Sequence, residues 1–319
     1  MTTSPAIFWS GVVAILALAA TATVEIQNEY FFYAAYIVFQ YVVLASAWNI
    51  LGGYAGYVNF GTAAFFGVGT YTAIVLMKAI EAPILLQILA AAAVSGVLGL
   101  VTGLLTVRLR GIFYSIATVA VAIILETVII NWRYVGGSTG VQILRPAVMA
   151  PFDSYTKMLF LLMTFLAVAT VSIARYVETS WIGRGLRAVR DSEVAAECSG
   201  VPTLKLKLFA CTVSGALMGA AGAPLALYQN YIEPASTFNL NYSISALSMA
   251  IIGGMSHWLG PVIGAILLGS IQQIVSATIS NELNLLVAGV LLVLFVVIAP
   301  TGIVGLATTL ARQKIKDRA

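Results

Sequence analysis

The chain has 319 residues, of which 61% are hydrophobic and only 9% charged, and its mean hydropathy is +0.99. Soluble domains carry about 25% charged and 45–50% apolar residues, so a soluble globular domain is excluded, as is a disordered chain, which has too little apolar surface to collapse. The net charge of +4 comes without a basic run interleaved with aromatics, so it gives no nucleic-acid surface; an all-α polytopic integral membrane protein remains.

A helix needs about 20 mostly apolar residues to cross the hydrocarbon layer. In chain order the candidate spans are 7–24, 31–48, 60–77, 84–107, 112–130, 158–174, 208–228, 242–252, 262–279 and 285–299, which predicts about ten transmembrane helices. The eighth is short and ends in Gly253-Gly254, as a broken or tilted span would. Residues 1–6 lack the basic n-region of a cleavable signal, so the first segment is expected to be a span. The whole chain, 1–319, reads as one membrane domain with two long connections, an outer loop 131–157 and a cytoplasmic loop 175–207. Glycine-rich segments occur in both halves, as inverted repeats of transporters require, although no repeat is evident by inspection.

Charge sets the expected orientation. With both termini inside, the inner segments hold Arg108, Arg110, Arg175, Arg184, Arg187, Arg190, Lys205, Lys207 and the tail Arg312, Lys314, Lys316 and Arg318. The outer ones hold Lys78, Arg133, Arg145 and Lys157. An excess of Lys and Arg marks the cytoplasmic side, which predicts N-in/C-in. Both cysteines, Cys198 and Cys211, then fall toward the cytoplasmic side, where free thiols are expected.

Three features carry candidate chemistry. The stretch from Gly52 to Tyr71 holds glycines at 52, 53, 56, 61, 67 and 69 around Tyr57, Asn59, Thr62 and Phe65. Two readings stand: close helix packing, which small residues allow, or a broken helix whose unwound backbone lines a cavity. Glu126, within an apolar span, is either a pathway carboxylate or an interfacial anchor beside Trp132 and Arg133. In the cytoplasmic loop Arg184, Arg187 and Arg190 recur every third residue beside Leu186 and Val189, an amphipathic stripe. Glu193, Ala195, Ala196 and Gly200 then suggest a second short helix and a turn shaped to dock on a partner.

No catalytic set accompanies them. There is no Walker-type phosphate loop, a single histidine, His257, and no paired carboxylates within a span, so neither a catalytic residue nor a metal site is expected. Work against a gradient must draw on a partner or an ion.

Four ordered motifs resemble a known family. Arg184-x-Leu-Arg-Ala-x-Arg190 followed by Glu193 and Ala195-Ala-x3-Gly200 is similar to the loop by which ABC importer permeases contact their ATPases. Gly53-Tyr-Ala-Gly56 through Ala63-Ala-Phe-Phe-Gly67, Gly253-Gly-Met-x3-Leu-Gly-Pro-x2-Gly-Ala265 and Pro300-Thr-Gly-Ile-Val-Gly-Leu306 agree. Together with Gly136-Gly-Ser-Thr-Gly140 they make the chain resemble the LivM-type permease subunits of branched-chain (hydrophobic) amino acid and amide importers. Tyr57, Asn59 and Thr62 replace the family's common Gln, Ser and His, and Ser256 replaces a usual Gly.

The resemblance implies a permease subunit of an ABC importer in a bacterial cytoplasmic (inner) membrane. It works with a homologous second permease, two cytoplasmic ATPases that bind ATP and Mg, and an external solute-binding protein, amid membrane lipid. It implies no cofactor in this chain and a small aliphatic amino acid as cargo, with short amides or urea as the alternative. The expected pathway residues are Tyr57, Asn59, Thr62, Phe65, Glu126, Ser138 and Thr139, with delivery near 136–140 and 229–241. Those expected to couple to the ATPase are Arg184, Arg187, Arg190, Glu193, Ala195, Ala196 and Gly200. An ion-coupled secondary transporter, with Glu126 as its sole relay group, is the alternative of another class.

Overall fold

The computed structural model describes residues 5–106, 109, 111–143, 154–278, 283–299, 301–306 and 308–309. Val107, Arg108, Arg110, Arg145, Pro300 and the basic tail from Arg312 lie outside the described residues. The helices are α1 (Pro5–Glu25), α2 (Glu29–Ala55), α3 (Thr62–Ile80), α4 (Ile84–Thr106), α5 (Ile112–Ile130), α6 (Tyr155–Thr179), α7 (Trp181–Asp191), α8 (Glu193–Cys198), α9 (Thr203–Gly222), α10 (Leu225–Gln229), α11 (Pro234–Thr237), α12 (Asn241–Gly253), α13 (Leu259–Thr278) and α14 (Leu283–Ile298). Two short strands, β1 (Val141–Gln142) and β2 (Tyr231–Ile232), pair antiparallel. The chain is an all-α polytopic membrane protein, and among the described residues each predicted span is largely helical. Among the described residues eight helical segments, with α9 and α10 taken together, have the length and apolarity to cross a bilayer. The other two predicted spans, α12 with 13 residues and α14 with 16, are shorter than a full crossing.

Helix α2 is the axis of the bundle. Residues Val42 to Ala55 are buried without interruption, because α6, α9, α12 and α13 surround that half. Glycine lets the neighbours approach: on α4, Gly96, Gly99 and Gly103 face α9, and a Cβ on Gly99 would lie 2.5 Å from the Cys211 carbonyl oxygen. This is the small-residue packing by which membrane helices bring backbones together. By contrast α1, α4 and α5 turn Leu18, Leu105 and Phe113 outward, as a lipid-facing surface requires. Both cysteines are free thiols, Cys198 exposed on α8 and Cys211 buried within α9.

The two ends of the bundle differ. At one, α7, α8 and the start of α9 gather Arg184, Arg187, Arg190, Lys205 and Lys207. At the other, β1–β2 ties together the two predicted outer loops, and Lys78 at the end of α3 donates to the Tyr134 carbonyl (3.1 Å). The C-terminal glycine motifs meet at the basic end: Gly253 packs on the Gly260 carbonyl, and Gly254 (φ +110°) against Thr301 and Gly302. His257 accepts from the Leu259 amide at the start of α13 (3.2 Å), a capping role.

Candidate functional site

Between α2 and α3 the chain unwinds over residues 56–61 only. Gly56, at φ +78°, ends α2 and donates its N–H to the Leu51 carbonyl, a left-handed cap that glycine adopts without steric cost. An unwound backbone inside a bilayer needs a partner for its polar groups, and side chains from two other helices, α5 and α12, join α2 in supplying them. Trp48 Nε1 donates to the Asn59 carbonyl (2.7 Å), Ser115 Oγ to the Val58 carbonyl (2.8 Å), and the Phe60 amide to Thr118 Oγ1 (3.0 Å). Ser243, near the start of α12, donates to the Phe60 carbonyl (2.7 Å) and accepts from the Ala63 amide (3.1 Å). The Asn59 side chain accepts from Gly61 (2.7 Å) and so closes its own turn. α12 is short because the chain reaches this depth through α11 and residues 238–240 before it begins.

A cavity of about 680 Å³ opens on the opposite side of this junction, within the 300–1,000 Å³ usual for small-molecule sites. One face of α2 supplies Tyr30, Tyr33, Ile37, Gln40 and Tyr41; α10 supplies Leu225, Tyr228 and Gln229. The remaining wall comes from Asn241, Tyr242 and Ser245 of α12 and Gln272, Gln273, Ser276 and Ala277 of α13. From Tyr30 to Tyr41 it runs roughly 16 Å along α2 at 1.5 Å per residue. None of these described lining residues carries a formal charge. Aromatic stacking braces the wall: the Tyr228 ring stacks on Tyr33 (4.8 Å) and on Tyr36 (4.2 Å), and its hydroxyl donates to the Tyr33 carbonyl (3.4 Å). Tyr242 closes the inner end by packing on Phe66 (4.6 Å), one residue before the Ser243 that holds the unwound segment.

Of the predicted pathway residues, none lines this cavity. Asn59 and Phe65 border a void of about 10 Å³ with Thr102, Tyr114 and Thr118. Thr62 is buried, and its hydroxyl has no hydrogen-bond partner. Tyr57 lies at the basic end. Glu126 is half-buried one turn before the end of α5, and Ser138 and Thr139 are exposed in a 3₁₀ turn. There the Thr139 carbonyl accepts from Tyr231 across the β1–β2 pair. The sequence reading centred on the glycine-rich stretch rather than on this cavity, although Gln229 and Asn241, the two ends of its expected delivery segment 229–241, do line it. Its signals were amides inside apolar spans, Gln40 and Gln272-Gln273, and the Tyr30, Tyr33, Tyr36 spacing that places three rings near one helical face.

At the basic end, α7 lies against the bundle through Leu186 (fully buried) and Val189. Arg190 donates to the Gly53 carbonyl (3.1 Å), and a Cβ on Gly56 would come within 2.7 Å of its stem. Arg187 donates to the Glu178 carbonyl (3.4 Å), while Arg184 is exposed. The Glu178 carboxylate joins α2 to α13's approach, accepting from Tyr54 (3.3 Å) and the Trp258 amide (2.6 Å). Ser192 caps α8, and Gly200, at φ +79°, turns the chain back toward α9. α8 has two faces: Glu193 and Ala196, 4% exposed, turn inward, whereas Val194, Ala195 and Cys198 face out. Of the expected alanine pair only Ala195 is exposed, because Ala196 packs within this chain.

Comparison with known proteins agrees with this architecture. A family model described as "Branched-chain amino acid transport system / permease component" matches residues 30–296. The high-affinity branched-chain amino acid transport system permease protein LivM of Salmonella typhimurium is 26% identical over 303 residues, covering 87% of this chain and 70% of that protein. LivM of Escherichia coli is 26% identical over 305 residues, covering 88% and 70%. A probable branched-chain amino acid transport permease protein LivH of Methanocaldococcus jannaschii is 27% identical over 263 residues, covering 77% and 82%. No solved structure matches the chain. A family match over most of the sequence, on a polytopic bundle whose glycine motifs meet at one end, makes the chain a member of the branched-chain amino acid transport permease family.

Proposed function

We propose that this chain is one of two homologous permease subunits of an ABC importer that carries small amino acids without net charge across a bacterial inner membrane. The cavity is the outward-facing vestibule and the α7–α8 face the contact with the ATPases. The observation that carries this reading is the uncharged lining of a large cavity at the end opposite the basic one. Placing a net charge in a site with no counter-charge costs far more than placing a dipolar solute that hydroxyl and amide groups can solvate. Aliphatic amino acids, net-neutral at pH 7, suit tyrosine rings and glutamine amides together. An external solute-binding protein delivers the cargo over the β1–β2 side, and two ATPases that bind ATP and Mg supply the energy. Closure of those ATPases favours an inward-open state, a change that needs different affinities in the two states.

The test is uptake by proteoliposomes that hold the permease pair and ATPases, with the binding protein outside and ATP inside. Leucine, isoleucine or valine is expected to accumulate and lysine and glutamate are not. Accumulation of urea or short amides in preference to leucine supports the amide reading of the same cavity. Uptake driven by an ion gradient without ATP overturns the proposal in favour of secondary transport.

A further inference from the structure

Three side chains at the basic end belong neither to the cavity nor to the exposed face of α8. Lys207 on α9 and Glu193 at the start of α8 form an ion pair (2.5 Å), with side chains only 8% and 12% exposed. The Tyr57 hydroxyl donates to the other carboxylate oxygen of Glu193 (2.9 Å) and lies 3.5 Å from Lys207 Nζ. Tyr57 is the second residue of the unwound segment, and its ring packs edge-to-face on Tyr114 of α5 (5.1 Å).

We infer that Glu193, Lys207 and Tyr57 are positioning residues that transmit displacement of α8 to the unwound segment beneath the cavity. The inference rests on the proposed contact between α8 and an ATPase. A buried ion pair is a poor source of stability, since apolar side chains of the same volume pack as well, and its best-attested use is to fix one arrangement against another. Here it fixes a helix with an exposed docking face to the segment that must move. Arg190 provides the second grip, on Gly53 and Gly56 at the other edge of the same turn. Tyr57 is two residues from Asn59, whose carbonyl holds Trp48, and three from Phe60, whose carbonyl holds Ser243 of the cavity-lining helix α12. A push on α8 therefore reaches the floor of the cavity through one short run of backbone.

The experiment uses the assembled complex in proteoliposomes and measures solute transported per ATP hydrolysed. Lys207→Met, Glu193→Gln and Tyr57→Phe are each expected to lower that ratio by about fivefold, the low end of coupling between distant sites. Hydrolysis stimulated by loaded binding protein is expected to stay within about twofold of wild type, because the exposed face of α8 is unchanged. Tyr57→Phe keeps the ion pair and so separates transmission from folding. The reciprocal exchange Glu193→Lys with Lys207→Glu is expected to restore most of the ratio lost in the single variants. An unchanged ratio in Tyr57→Phe, or uptake and hydrolysis that fall together in every variant, overturns the transmission role and leaves the proposed function intact. A wild-type complex that takes up solute without ATP rejects the proposed function and the transmission role with it.

Discussion

The two ends of α2 solve opposite problems with the same helix. Its first half presents Tyr30, Tyr33, Gln40 and Tyr41 to a cavity without a described charge. Its second half is buried on all sides from Val42 onward and ends against Arg190, Glu178 and a glycine-lined turn. The first half lines a cavity large enough for a small solute, and its rings are braced by stacking, as Tyr33 is on Tyr228. The second is sealed, and each polar group of the turn that follows has to be matched by a named side chain. In the proposed importer, selectivity and movement would thus be separated along one helix: the open half would hold solute, and the sealed half is gripped by the α7–α8 loop.

The largest effect that tests this division is expected at Ala195. Ala195→Trp adds bulk on the exposed face of α8 and should reduce ATP-driven uptake and stimulated hydrolysis to background while the permease pair still assembles, as checked by co-purification. Full activity in Ala195→Trp would remove α8 from the ATPase contact. At the other end, Gln40→Glu places a charge midway along α2 in the cavity wall. Leucine uptake should fall about tenfold, equivalent to roughly 1.4 kcal/mol, with hydrolysis by the complex retained. Gln40→Leu, which keeps the wall neutral, should fall less.

Ala196→Trp sharpens the contrast within α8. Because Ala196 is buried in this chain, overpacking should cost about 1–3 kcal/mol of stability, read as a lower melting temperature of the purified permease pair. A normal melting temperature with lost ATPase stimulation would instead put Ala196 in the docking face. The smallest effect is expected for Arg184→Ala. Its guanidinium is exposed, and surface ion pairs contribute about 0–1 kcal/mol, so hydrolysis should change by less than about fivefold and the change should fade in high salt.

Much of the bundle is legible in the sequence because lipid enforces a simple pattern. α5 occupies 112–130 as predicted, since an apolar run between Gly111 and Asn131 admits one placement. α2 extends seven residues past the predicted end at Trp48, because Gly52 and Gly53 are not helix breakers here. Gly52 packs on the Trp48 ring, and a Cβ on Gly53 would approach the Met255 carbonyl oxygen to 2.9 Å. Glycine composition marked the region of the break, but only tertiary hydrogen bonds from Trp48, Ser115, Thr118 and Ser243 confine it to 56–61. The cavity was hidden for a related reason. Its lining comes from four helices spread between residues 30 and 277, and no single span shows more than one or two amides or a few tyrosines. The two-faced character of α8 was likewise invisible, since six residues are too few for a periodicity to separate Ala195 from Ala196.

The account turns on the cavity and the α7–α8 face lying on opposite sides of the membrane. Sided labelling measures this directly in two strains, both in a Cys211→Ser background. One retains Cys198; the other combines Cys198→Ser with Ala277→Cys in the cavity wall. In intact spheroplasts a membrane-impermeant maleimide should label the thiol introduced at position 277 but not Cys198, and in inside-out vesicles it should label Cys198. Labelling of Cys198 from outside, or of both thiols from the same side, would contradict the arrangement and with it the division of labour along α2.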